Sequence, residues 1–111
     1  MAYDKDLAAR MFQIMAAMNP PGLAEKKMFG GVGFLVQGNM ACGVHQDGLI
    51  VRVGSEGYMD ALNRPGAHPF DMTGRPMSGW VSVKPSGFQS DEVLKEWVDL
   101  GLQFALTLPP K

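Results

Sequence analysis

The stretch KKMFGGVGFLVQGNMACGVHQDGLIVRV, Lys26 to Val53, decides the fold. Before it the apolar residues follow a helical period; within it they form short β-like runs broken by turn signals. "VGFLVQ" and "MACGVH" are joined by Gly38-Asn39, with glycine first, as a type II′ hairpin turn wants. "LIVRV" follows Asp47-Gly48, which suits a type I′ turn. With Lys26–Phe29 in front, the segment reads as an antiparallel meander of three or four strands.

The glycines at the front of this stretch invite three readings. A dinucleotide-binding loop needs G-x-G-x-x-G between a strand and a helix. Gly31-Val32-Gly33 starts that pattern, but Val36 stands where the third glycine belongs and a strand follows. An RNA-binding strand of the RRM type runs [KR]-G-[FY]-[GA]-[FY]-V-x-[FY]. Lys27 to Phe34 matches it in part and fails at Met28 and at Gly31, where a base-stacking aromatic belongs. No strand precedes the first helix to supply a partner aromatic either. The third reading needs no ligand. Gly30-Gly31 lies between two β-like runs, so one of the pair takes positive φ or sits in a bulge at a strand corner.

Outward from the meander, residues 4–18 form a first helix, with Asp4 as N-cap, Asp6 in the first turn and Leu7, Met11, Ile14, Met15 and Met18 on one stripe. "NPPG", Asn19 to Gly22, ends it. Phe12 lies off the stripe and faces water or a partner. Ser55 caps a short helix from Glu56 to Leu62. Residues 64–78 carry Pro65, Gly66, Pro69, Gly74 and Pro76, and read as a long irregular connection. One more strand, Gly79 to Val83, and a Ser90-capped helix to about Leu106 complete the chain. The order implies an α+β fold: an antiparallel sheet of a meander plus one later strand, packed with N-terminal, short middle and C-terminal helices.

With 111 residues the chain fits one domain, 1–111. A formal net charge of −1 argues against direct DNA binding and against an anionic membrane, unless charge gathers in a patch. No apolar run reaches membrane-spanning length. A lone cysteine, Cys42, and a charged N-terminus without an apolar segment point to the cytoplasm.

The chemistry-bearing residues do not assemble into a reaction centre. Cys42 and His45 are three apart on a strand and point to opposite faces. No CxxC or HxxxH offers metal ligands, and no carboxylate pair has a spacing that forces proximity. The expectation is a non-enzyme without cofactor or metal, with Cys42 buried on the strand face it shares with Met40 and Val44. The segment RPGAHPFDMTGRPMSGWVSV is either a strap that completes the core or a binding loop laid over a sheet face. In the second case Lys26, Lys27, Phe29, Arg52, Arg75 and Trp80 form the candidate ligand or partner surface.

Finally, "KKMFGGVGFLVQGNMACGV", "LIVRVG" and "RPGAHPFDMTGRPMSGWVSV" resemble the N-terminal domain of the TfoX/Sxy family, and the likeness covers nearly the whole chain. The resemblance implies an α+β domain with a central antiparallel sheet, often paired as a homodimer, with no known catalytic residues and no cofactor. Longer members carry a helical C-terminal domain and act in bacterial competence as transcriptional co-regulators. This chain stops at Lys111, so a stand-alone regulatory or protein-interaction domain is expected, with Phe12 as a dimer contact and a protein partner. The alternative is a small-ligand or RNA-binding protein using the sheet face near Phe29, Arg52 and Trp80.

Overall fold

The computed structural model describes residues 3–28, 30–46, 48–71 and 76–110, the side chains of 28, 71, 76 and 77 excepted. Helix α1 (Lys5–Met18) begins where the Asp4 carboxylate accepts the Leu7 backbone N–H at 3.0 Å. It ends at Asn19, whose left-handed φ of 52° turns the chain toward the prolines. Strands β1 (Ala24–Met28), β2 (Gly31–Val36), β3 (Asn39–His45) and β4 (Gly48–Arg52) form the expected meander. Then come α2 (Gly54–Leu62), β5 (Ala67–Asp71), β6 (Pro76–Val83), a short 3-10 turn (Pro85–Gly87) and α3 (Asp91–Leu106). The Ser90 hydroxyl caps α3 by accepting the Val93 N–H at 3.2 Å.

The six strands make one antiparallel sheet in the order β1-β2-β3-β4-β6-β5. The stretch 64–78 is thus no irregular strap. It supplies β5 and the start of β6, so two strands follow the meander rather than one. Its prolines read as breakers, yet Pro69 sits on the edge strand and Pro76 at a strand start, where a missing N–H costs little. Met72 and Arg75 of this stretch lie outside the described residues.

Local turn chemistry departs from expectation in a consistent way. The β2–β3 loop is Gln37-Gly38, not Gly38-Asn39. Both residues take positive φ, 53° and 85°, as type I′ requires. Asn39 is drawn into β3, where its side-chain amide donates to the Pro109 carbonyl at 2.9 Å and fastens the C-terminal segment. The β3–β4 connection likewise begins one residue early, at Gln46 with φ 58°; Asp47 lies outside the described residues. Gln46 also accepts the Asp4 N–H at 2.7 Å, which ties the start of α1 to this turn. In α2, Val53 holds the cap position and Ser55 already lies inside the helix, so Ser55 is not the cap.

Gly30 has φ 73° in the tight corner between Met28 and Gly31, which pair across β1 and β2. Gly31 is already in β2, where a Cβ would run into the Val44 carbonyl. The pair makes a hairpin corner, as the sequence suggests, and the register shifts of the sheet lie elsewhere, one in β2–β3 and one in β5–β6. Phe34 faces Cys42 and Leu35 faces Met40, which leaves Ala41 as the extra residue of β3.

Alternation along the strands sorts the sheet into two faces. Val32, Phe34, Val36, Val44, Val51 and Val81 share one face and one core with Met11 and Met15 of α1, Ala61 of α2 and Leu94, Trp97 and Val98 of α3. The helices therefore form a layer against that face. Gly101 brings α3 close, since a Cβ there would meet the Ala41 carbonyl at the bulge. Ile50 and Phe70 are buried outside this core cluster. They introduce the second face, which lies outside that core cluster and which α3 meets through Phe104 beside Arg52.

Candidate functional site: the uncovered sheet face

Register across all six strands places Lys26, Gly33, Gly43, Ile50, Ser82 and His68 in one row on the uncovered face. Beside that row lie Arg52 and its cross-strand partner Trp80. Lys26 and His68 are exposed at the two edges; Arg52, Trp80, Leu35 and Met40 are half-buried.

Arg52 is the best-built group of this face. Its guanidinium carbon lies 5.3 Å from the Trp80 ring centroid and 5.4 Å from that of Phe104 on α3. Trp80 in turn packs on Phe70, with ring centroids 6.4 Å apart. Two aromatic rings thus hold one cation, an arrangement worth about 0.5–1 kcal/mol per contact at an accessible site. Among the described residues no carboxylate pairs with Arg52. The arginines of the helical layer differ: Arg10 pairs with Asp91, and Arg64 pairs with Glu96 at 3.0 Å while lying 5.4 Å from the Trp97 ring.

Of the residues read from the sequence as a candidate surface, the structure joins Arg52 with Trp80 and separates the lysines. Lys26 faces the uncovered side, opposite Gly33, whereas Lys27 faces the helical side, opposite Val32. Both are exposed on the edge strand β1, where charge discourages pairing with another sheet. Phe29 and Arg75 lie outside the described residues. Phe104 and Phe70 were missed as members of this cluster. Phe104 reads from its spacing as an inner-face residue of α3, and no local pattern links it to Arg52.

Phe12, expected as a dimer contact, is 39 % exposed, and its ring lies 6.2 Å from that of Phe34. It straddles core and solvent rather than standing clear of the core. Cys42 is fully buried, with its Sγ 3.6 Å from the Met15 Sδ, and burial pushes its thiol up to about 12. It shares its face with Val44 but not with Met40, because the bulge at Ala41 shifts the alternation. A cleft of about 370 Å³ opens between Arg64, Ser86, Gln89 and the first turns of α3, but its one cation is already paired with Glu96. Among the described residues no group of three or more His, Cys, Asp or Glu could hold a metal ion, and no helix is long and apolar enough to cross a membrane.

The TfoX N-terminal domain family matches residues 14–105, from the middle of α1 almost to the end of α3. The chain belongs to that family. No curated protein matches the chain. The matched span holds every strand of the sheet, so the TfoX N-terminal domain includes both the helix-covered face and the Arg52–Trp80–Phe104 cluster.

Proposed function

We propose that this TfoX N-terminal domain is a non-catalytic regulatory module of the cytoplasm that acts by binding another protein and works as a homodimer. The observation that carries the reading is the family match over residues 14–105. Transcriptional regulation, of the kind longer TfoX/Sxy members perform in competence, is the process it serves. The small-ligand or RNA reading has less support, because the face of Trp80 is occupied by Arg52 rather than free for a base.

Capture of partners from the source cell on the immobilised chain, with and without ribonuclease, followed by mass spectrometry, tests the interaction. A specific protein that survives ribonuclease is expected; capture of RNA alone would overturn the reading. Sedimentation equilibrium tests the assembly. A mass twice the 12.0 kDa of one chain is expected, and Phe12→Glu is expected to shift it toward monomer, since it places an unpaired charge in the contact. A single-chain mass at tens of micromolar sinks the homodimer.

A further inference from the structure

The near-zero net charge conceals a two-sided distribution. In the helical layer carboxylates outnumber cations, with Asp6, Glu56, Asp60, Asp91, Glu92 and Glu96 among them. In the sheet the balance reverses. Lys26, Lys27 and Arg52 stand against Glu25 and Asp71; Glu25 faces the helical side, opposite Phe34, and Asp71 ends β5 beyond its register shift. On the uncovered face the register places Lys26, Arg52, His45 and His68, while Glu25 stands on the other side.

We propose that this face docks an acidic protein segment, with Arg52 as the anchor for one of its carboxylates. The inference rests on the protein-interaction reading above and names the chemistry of the partner. Three observations support it. Lys26 and Arg52 have no carboxylate partner among the described residues, whereas Arg10 and Arg64 are paired. Trp80 and Phe104 hold the Arg52 guanidinium by ring contacts rather than by an ion pair, so its N–H groups stay available to a carboxylate. Leu35, Met40 and Trp80 are half-buried around these cations and offer apolar contact to a segment that alternates acidic and apolar residues. Five strand spacings of about 4.8 Å separate Lys26 from His68, about 24 Å, which an extended segment of about seven residues spans.

RNA is the weaker occupant for physical reasons. Few cations face it, the acidic helical layer repels a polyphosphate, and Gly31 and Gly33 leave β2 without a stacking ring on this side.

The test is an amide-resolved NMR titration of the purified chain with three probes: a synthetic peptide alternating Glu with Leu and Phe, its Gln-for-Glu counterpart, and an oligouridylate. The acidic peptide is expected to shift amides around Lys26, Arg52 and His68, and to bind about tenfold more tightly than the Gln peptide. Arg52→Gln and, separately, Lys26→Gln are expected to weaken it, Arg52→Gln by about tenfold. The spectrum of each free variant reports that the fold is kept. Raising salt from about 0.05 to about 0.5 M is expected to weaken binding further. Shifts confined to the helices, equal affinity for the two peptides, tighter binding of oligouridylate, or affinity unmoved by both variants would overturn the proposal. A partner captured equally well by wild type and Arg52→Gln would overturn it too, while leaving the protein-interaction reading intact. Failure to capture any protein would instead strike that reading itself.

Discussion

Val51 and Arg52 are neighbours on β4 and live in opposite surroundings. Val51 is fully buried among valines and helix side chains. Arg52 stands on the opposite face, outside the helix-packed core, held by Trp80 and by Phe104 of α3. The same contrast runs across the whole sheet. One face is paved with Val, Phe and Cys, and owes its order to the bulk it buries. The other combines glycines, scattered apolar side chains and cations. A sheet needs only one covered face to be stable, so the residues of the second are freer to serve recognition.

The sharpest way to break this comparison is to strike the covered face. Phe34→Ala removes a fully buried ring from the centre of the core and is expected to cost about 3–5 kcal/mol in urea unfolding. Leu35→Ala, one residue along and half-buried on the other face, is expected to cost clearly less. Equal losses would erase the distinction between the faces.

The corner glycines come next. Gly31→Val drives side-chain atoms into the Val44 carbonyl, with an expected loss of about 1–3 kcal/mol. Gly30→Ala meets no neighbouring atom, so it carries only the strain of φ 73°, about 1 kcal/mol. The reverse ranking would show that the corner is misassigned.

Arg52→Gln should change stability by no more than about 1 kcal/mol, the scale of accessible cation–aromatic contacts. A loss of several kcal/mol would make Arg52 a structural residue of the fold and count against its role in recognition.

The smallest effect near neutral pH concerns Cys42. A thiol reagent at neutral pH is expected to leave the native protein unmodified, because burial holds the thiol protonated. Its pKa rises from 9.0 to about 12 on folding. Above pH 9.0 the unfolded chain therefore releases this proton first, and the associated stability is lost as pH climbs toward about 12. Cys42→Ala should flatten that part of the pH dependence and leave lower pH unaffected.

Much of this architecture was legible from residue order. Both long helices announce themselves through Asp4, Ser90 and their apolar stripes, because caps and helical period are local properties. The meander was legible from its turn residues and the corner from Gly30-Gly31, since backbone conformation at a glycine is also local. The turn registers were not. Gln37-Gly38 replaces Gly38-Asn39, and Asn39 instead pairs with Val36 and donates to Pro109, a partner far along the chain. The hairpin of β5 and β6 was hidden because prolines break strands except at edges and starts, and which strand is an edge depends on sheet order.

Residue order alone specifies the fold class, the extents of α1 and α3 and the absence of a spacing that forces Cys42 and His45 together, each set by periodicity or by residues a few positions apart. Tertiary structure alone decided that Lys26 and Lys27 part company, that Ala41 bulges under α3, and that Arg52 meets both Trp80 and Phe104. The physical reason is the same in each case. Strand pairing and helix packing bring together residues remote in the chain, and no local pattern encodes which of them will meet.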